Sequence, residues 1–476
     1  MSHPSLSISN PHPAGASGLQ KVGMGIAALG VLLLLIAWAG IDLPALPVLV
    51  VSIVSIFAGT FMVTRAKYKG LPLGIKNHHV WFDSSTNRGL WGWFAGILLT
   101  GFYVCLYWFP ETLGYGGSTN SGLVRLFDPL SMAFKGKPAS QWFVYGTLYT
   151  VAILALGTKF MFKYRHNRYQ LFRTIVVMVS QLFLAYLIPE ILAGLNYNDA
   201  VDANGNYIGY YNTDLKNTWP LDYDFFQKWQ LEGFQKSAYQ PVGKLFLYWG
   251  VAMFLIVTPV LTYLVGKRWY CSWVCGCGGL AETAGDPYRH LSSKKLSSWK
   301  LERWLIHGVM VFVFLATAAS IYGYVAETGK VFGIGIYKNF EKPYGFLIGA
   351  MFSGVIGVGF YPLLGNRVWC RFGCPMAGYM GLIQRFKSRF RITTNGGQCI
   401  SCGNCSTYCE QGIDVRWYAQ RGQNIVRASC VGCGICSAVC PRGVLKLENA
   451  PEEGRINDKP ILIGGDSAKL NPAVMD

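Results

Sequence analysis

Eight stretches of about 20 mostly apolar residues, the length a helix needs to cross a bilayer, alternate with polar segments along the chain. They cover 22–40, 46–64, 89–109, 141–160, 174–195, 244–266, 304–326 and 344–364, and each predicts a membrane span. The stretch 141–160 is the least apolar, with Gln141 and Lys159 near its ends. An even number of spans returns both termini to one side. Composition agrees: the 476 residues are 52% hydrophobic, 15% aromatic and 14% charged, against roughly 25% charged in a soluble domain. The predicted fold is an all-α polytopic membrane domain, 22–374. The opening MSHPSLSISNPHPAGASGLQK, residues 1–21, lacks the basic start of a secretory signal and leads quickly into two spans. It reads as a cytoplasmic tail before a retained anchor rather than as a cleaved peptide.

Loop charge predicts the orientation. Lys and Arg collect in cytoplasmic loops, and the loops after the second, fourth and sixth spans hold Arg65, Lys67, Lys69, Lys76 and Arg88; Lys163, Arg165, Arg168 and Arg173; and Lys267, Arg268, Arg289, Lys294, Lys295, Lys300 and Arg303. The loop 196–243 is the opposite, with Asp199, Asp202, Asp214, Asp222, Asp224 and Glu232 against three lysines. It predicts a folded loop on the outer side. The chain is therefore expected in a bacterial inner membrane, with both termini cytoplasmic. The net charge of +18 belongs to those loops. No nucleic-acid-binding signature accompanies it.

The clearest chemistry follows the last span. Of 14 cysteines, eight lie within 399–440, as Cys399-x2-Cys402-x2-Cys405-x3-Cys409 and Cys430-x2-Cys433-x2-Cys436-x3-Cys440-Pro441. Two x2 gaps followed by x3 wrap three thiolates around a cubane, and the fourth cysteine of each run serves the other cluster. Cys399, Cys402, Cys405 and Cys440 are the expected ligands of one [4Fe–4S] cluster, and Cys430, Cys433, Cys436 and Cys409 those of the second. Zinc knuckles pair Cys-x2-Cys units instead. Residues 399–448 thus predict a small α+β ferredoxin domain, followed by a tail at 449–476. Glu410 stands where proline would stiffen the chain after Cys409, which predicts a slightly looser second cluster. "IDVRWYAQRGQNIVR" reads as a hairpin turning at Arg421-Gly422. Between span and domain, 375–398 is a basic linker. Met376, Met380, Ile383 and Phe386 recur at helical spacing beside Arg385, Lys387, Arg389 and Arg391, the pattern of a helix lying on an anionic membrane surface.

A second cysteine pattern occurs twice. "GKRWYCSWVC", 266–275, and "GNRVWCRFGC", 365–374, both read Gly-x-Arg-x-x-Cys-x-x-x-Cys, each directly after an apolar run. The repeat predicts two like helix ends brought together at the cytoplasmic surface. Cys271 and Cys275, and Cys370 and Cys374, would each share a helical face and together form one thiolate site. Four soft ligands suit an Fe–S cluster, a single iron, zinc or copper. Arg268, Arg367 and Arg371 would favour the thiolate form. The plainer reading is buried cysteines or a redox disulfide. Cys277 adds a further thiol to the first copy, and Cys105 lies alone in an apolar run.

Spans bearing two Cys-x3-Cys sentences and a double-cluster tail resemble the NapH/NosR/CcoG group of membrane polyferredoxins, over residues 244–447. The resemblance implies electron transfer between membrane or cytoplasmic donors, quinol among them, and a redox protein partner. Cys370, Cys374 and Pro375 match the second sentence fully, while Gly276 replaces the usual proline in the first. The flavin-binding portion expected of NosR is missing, and spans one to five exceed the NapH pattern, so the chain reads as a separate branch.

Among the remaining polar residues, Glu190 and His307 lie near span ends and are candidates for proton transfer, or are simply paired or interfacial. His78 and His79 sit in a basic loop. No residue pattern assigns a catalytic group, and no phosphate-binding loop is present. The leading expectation is an inner-membrane iron–sulfur electron carrier, a component of an oxidoreductase system. The alternative is a metal-handling protein that reduces copper for delivery to an enzyme. A redox sensor would need an output domain, which is not visible.

Overall fold

The computed structural model describes residues 16–68, 88–117, 119–195, 218–236 and 240–449. Among them, seven helices are long and apolar enough to cross a membrane: α1 (Gly18–Trp38), α2 (Ala45–Tyr68), α3 (Leu90–Trp108), α4 (Gln141–Lys163), α5 (Arg168–Gly194), α6 (Gly243–Val265) and, after the short α7 (Gly276–Thr283), α8 (Leu296–Val325). Polar side chains set their starts. The Ser17 hydroxyl and Gln20 form a capping box on α1, Ser140 caps α4, and Asn167 caps α5; each satisfies an amide that the first turn leaves unpaired. The expected eighth span, 344–364, is not a continuous α-helix. Tyr344–Ile356 is a π-helical run, 357–360 form a turn, and Tyr361–Leu364 add one more helical turn.

The basic loops share one side. Arg165 Nη1 donates to the Tyr68 carbonyl at 2.7 Å, joining the ends of α4 and α2, and Arg88 donates to the carbonyls of Leu363 and Leu291 at 2.6 and 2.9 Å. On the opposite side, residues 218–236 of the acidic loop fold over the bundle. Trp219 packs edge-on against Phe254 and Phe314 and donates to Thr317 Oγ1 at 2.8 Å, while the Tyr344 hydroxyl donates to the Pro220 carbonyl at 2.6 Å. The rest of that acidic stretch, apart from 240–243 at the start of α6, lies outside the described residues, as do His78 and His79.

The repeated sentences do not end at the membrane surface. After α6 the chain turns back into the bundle, and α7 runs out again beside α4. A Cβ on Gly279 would sit 3.3 Å from Ile153, one on Gly157 3.6 Å from Thr283, and Lys163 Nζ meets Asp286 Oδ2 at 2.6 Å. That parallel register sets Cys275, just before α7, level with Tyr149, about 20 Å from Lys163 at 1.5 Å per residue. The second copy behaves alike. Helix α9 (Pro375–Phe386) runs beside α6, with the Tyr379 hydroxyl on the Phe254 carbonyl at 3.2 Å and Ser388 Oγ on the Tyr263 carbonyl at 3.3 Å. Both second cysteines therefore stand deep within the bundle. A hydropathy window of about 20 residues cannot register such half-helices, because segments of 10–14 apolar residues read as core or re-entrant pieces.

Helix α9 also corrects the surface-lying linker. Met376 and Met380 are fully buried against α8, and Gln384 is buried too, its amide donating to the carbonyls of Arg427 and Cys430 at 2.8 and 2.7 Å. Met376 and Met380 face protein instead of lipid, while Phe386 at the end of the stripe is exposed. Beyond it, strand β1 (Phe390–Thr394) pairs antiparallel with β2 (Leu445–Asn449), with Ile392 opposite Leu447. The compact tail unit thus begins before the expected boundary at 398. The expected hairpin is a helix, Val415–Gln420, followed by a turn at Arg421-Gly422 and a single bridge from Ile425 to Ile392.

Because a Cβ on Gly279 would lie only 2.5 Å from Val177 Cγ1, Gly279→Leu overfills the contact between α7, α4 and α5. It is expected to cost about 1–3 kcal/mol and to lower the thermal midpoint of the purified protein in detergent. An unchanged midpoint would mean that α7 does not pack there.

Candidate functional site

The two tail loops repeat in backbone as well as in sequence. In the second, Gly432 and Gly434 adopt φ of 64° and 74°; in the first, Ser401 and Gly403 adopt 58° and 78°. Alternate left-handed residues curl each loop so that its three cysteines converge. Ser401 holds that conformation despite its Cβ, which disfavours it. Cys399, Cys402, Cys405 and Cys440 line one small cavity together with Gly403 and Pro441. Burial pushes the Cys405 thiol up to about 12, and Cys402, Cys440 and Cys399 add to the rise. Burial likewise pushes Cys430 up to about 11, with Cys409 contributing. Cys436 is raised by burial and by Cys433, Cys430 and Cys409. The structure thus gathers each set of four expected from spacing, including the exchanged fourth cysteine. Buried thiols that favour the neutral form need the positive charge of a bound metal centre to be held as thiolates. The donor set, sulfur alone in a curled loop, fits a cubane cluster.

The Cys-x3-Cys sentences share a second construction. Gly266 and Gly365 end their helices at φ of 74° and 97°, values open to glycine at no steric cost. One helical turn later the amide of Cys275 donates to the Tyr270 carbonyl at 2.8 Å, and that of Cys374 to the Trp369 carbonyl at 2.9 Å. Each second cysteine is then extended, with ψ of 126° and 112°, and immediately precedes α7 or α9 as its cap residue. The expected shared helical face is therefore replaced by a bend. Cys271, Cys370 and Cys374 pack within one apolar cluster, with Cys275 and Cys277 against it. The Ala377 amide donates to Cys374 Sγ at 3.4 Å. Two helix N-termini aimed at one group of sulfurs favour a site of net negative charge, as a thiolate-ligated cluster is.

Only one of the three expected arginines touches a thiol. Arg367 Nη1 donates to Cys370 Sγ at 3.5 Å and to the Cys271 carbonyl at 3.3 Å. Arg268 packs over the rings of Phe390, Trp273 and Tyr169, and Arg371 pairs with Glu302 at 2.6 Å.

Arg367 also belongs to a buried ionic network. Its Nε meets Glu410 Oε1 at 3.0 Å and its Nη2 meets Glu282 Oε1 at 2.8 Å; Arg289 bridges the same two glutamates, 2.6 Å from Glu410; and Arg173 reaches Glu282 at 2.5 Å. All five side chains are within 3% of full burial. Cys433 Sγ lies close to both carboxylates, yet those oxygens are occupied by guanidinium groups, so the cluster of acids is an anchor and not a cation site. At its edge Asp286 is raised by burial, but Lys163 and Arg289 outweigh this and hold it down to about 2. Glu410 replaces the expected proline because it fastens the tail to the bundle, the reverse of a loosened loop. The sequence offered one signal, an acid directly after a cluster cysteine, and another in Glu282 within the otherwise uncharged GCGGLAETAG.

Further contacts seat the tail. The Tyr169 hydroxyl donates to the Gly432 carbonyl at 2.8 Å, the Gln170 amide to that of Cys433 at 2.9 Å, and the Ser272 hydroxyl to that of Val431 at 2.8 Å. Glu190 is paired with Lys135 at 2.7 Å. His307 Nδ1 is buried with no hydrogen-bond partner among the described residues, and Cys105 packs into the core around α3 and α4, apart from the other cysteines.

Comparison with known proteins finds iron–sulfur families over the same segments. A family described as a 4Fe-4S binding domain matches residues 247–298 and 346–393, the two copies of the repeat, and a 4Fe-4S dicluster domain matches 398–445. The chain is 28% identical over 222 residues to YccM of Escherichia coli, by name an electron transport protein, which covers 44% of this chain and 60% of that one. It is 30% identical over 183 residues to the methylamine utilization ferredoxin-type protein MauN of Paracoccus denitrificans, covering 35% and 58%, and 27% identical over 173 residues to MauN of Methylorubrum extorquens, covering 34% and 54%. The chain thus spans a little over half the length of these relatives. No solved structure matches it.

Replacing Glu410 by Gln leaves Arg289 and Arg367 short of a buried counter-charge, a loss on the order of 3–5 kcal/mol. Hydrogen exchange over 399–449 is expected to quicken in the variant. Protection equal to the parent would show that the network does not hold the tail.

Proposed function

We propose that the chain is an iron–sulfur electron conductor of the inner membrane, a branch of the NapH/NosR/CcoG-like polyferredoxins, with its tail in the cytoplasm. In this reading Cys399, Cys402, Cys405 and Cys440 hold one [4Fe–4S] cluster, Cys430, Cys433, Cys436 and Cys409 hold a second, and Cys271, Cys275, Cys370 and Cys374 hold a third centre. Such centres supply one-electron chemistry across a wide range of potentials. The observation that carries the reading is the contact between the second and third groups: Ser272, next to Cys271, hydrogen-bonds the carbonyl of Val431, next to Cys430. That contact makes a short bonded route between sulfurs. Cys402 is the exposed cysteine of the tail, so a redox protein partner meets the chain there. At the other end electrons pass to or from the quinone pool.

Protein purified without oxygen is expected to carry about eight irons from the tail, more if the third centre is a cluster, and to give low-temperature EPR signals on reduction. Stoichiometric zinc without iron would overturn the reading. Cys271→Ser and Cys370→Ser are each expected to remove the third centre's signal and spare the tail's. Four buried thiols also suit Cu(I); loss of bound copper with every cluster signal retained would instead assign the chain to metal handling.

A further inference from the structure

Charged side chains bridge the second set of tail cysteines and the thiolate site. On the tail side, Cys433 Sγ lies within 4.8 Å of a carboxylate oxygen of Glu410 and of one of Glu282. Both acids hold Arg367, Glu410 at 3.0 Å through Nε and Glu282 at 2.8 Å through Nη2. Its remaining nitrogen, Nη1, donates to Cys370 Sγ at 3.5 Å and to the Cys271 carbonyl at 3.3 Å. A guanidinium keeps its charge and accepts no hydrogen bond, so the bridge has a fixed polarity, negative against Cys433 and positive against Cys370. The repeat supplies this once. Arg268, the matching residue of the first sentence, turns away from the sulfurs and donates to Asn449 Oδ1 at 3.0 Å.

We propose that the Glu410–Arg367 bridge directs electrons inward, from the tail to the bundle, by holding the thiolate site at a higher potential than the centre ligated by Cys433. The proposal rests on the reading that both groups of cysteines hold redox centres, and it adds which way they are biased and by which residues. Three observations carry it. Hydrogen bonds and positive charge at a ligand sulfur favour the reduced, more negative form of a centre, and a carboxylate beside the sulfur opposes it. Arg367 and Glu410 have no solvent exposure, and buried charges are screened least. The surroundings of the two sites then differ in sign. Burial pushes the Cys433 thiol well up, and Glu410 and Glu282 raise it further, ahead of the opposing Arg289 and Arg173. The thiolate site instead has Arg367 together with the positive N-terminal ends of α7 and α9. Lys267 does not discriminate, since its charge acts on Cys271 and on Cys430 alike. In the transfer one electron leaves the Cys433 side, which is oxidised, and arrives at the Cys370 side, which is reduced. No bond forms or breaks and no proton moves. Arg367 and Glu410 are positioning residues that act through the sulfurs.

The test uses the full chain purified without oxygen, with its iron content measured and each low-temperature EPR signal titrated against solution potential. The signal lost in Cys271→Ser belongs to the thiolate site, and the one altered in Cys433→Ser to the second tail centre. The first is expected at the higher potential. Replacing Arg367 and Glu410 together by Gln leaves no charge unpaired, because Arg173 and Arg289 keep Glu282 and Asp286. This double variant is expected to narrow the gap by about tenfold in the equilibrium between the centres, about 59 mV for one electron, at unchanged iron content. Arg367→Lys keeps the charge but loses the fork that reaches the sulfur. It is the milder variant should the double one fail to fold, and it is expected to lower the thiolate site's potential alone. Arg371→Lys, whose partner is Glu302 and not a sulfur, is expected to shift either equilibrium by less than about twofold. A gap of opposite sign in the parent, a gap unchanged in both Arg367 variants, or an equal shift in Arg371→Lys would overturn the proposal. Protein lacking iron, or lacking any signal that Cys271→Ser removes, would overturn the underlying electron-transfer reading instead.

Discussion

Two glutamates and three arginines, none of them reaching solvent, join the part of the chain inside the bundle to the part outside it. Glu282 comes from α7, Glu410 from the tail, Arg173 from α5, Arg289 from the short segment after α7, and Arg367 from the segment after the Gly365 turn. Removing five ionised groups from water is expensive, and only mutual contact offsets it. The network therefore forms as a whole or not at all. Its geometry sets the seat of the tail, and through Arg367 it reaches Cys370 Sγ directly. The cluster loops, the thiolate site and the contact through Ser272 all depend on that seat.

A second constraint comes from the bundle. Backbone that leaves helical geometry at membrane depth must be enclosed by protein. Both cysteine sentences do so, and both solve the problem alike: a left-handed glycine, one turn, a cysteine amide returned to an aromatic carbonyl, and then a new helix running outward. The bend is what permits sulfur from two sequence copies to converge, and it leaves two helix N-termini facing the same place. Membrane proteins that bind ions at mid-depth use interrupted helices for the same reason.

The tail was the most legible part of the chain. Spacing predicts that Cys440 and Cys409 change partners, and the structure sets Cys440 beside Cys399, Cys402 and Cys405, and Cys409 near Cys430 and Cys436. In the linker, the Met376 and Met380 stripe marks an amphipathic helix correctly, but periodicity reports a buried face without saying whether lipid or protein covers it. Arg421-Gly422 is a turn as its sequence predicts, while the residues before it form a helix instead of a strand. Glu410 reads in sequence only as a missing proline, since its partners, Arg289 and Arg367, lie far away along the chain.

Local pattern determined which segments are apolar, where basic charge accumulates, that two sentences repeat, and which cysteines belong to which loop, because each rests on interactions between near neighbours. Tertiary structure alone decided the depth of Cys275 and Cys374, the π-helical and broken course of 344–364, and the choice of Arg367 over Arg268 and Arg371 as the thiol's partner. Those features arise where α4, α5, α6 and the two half-helices meet. Most of their energies come from contacts between residues tens to more than a hundred positions apart, which no window along the chain can sum.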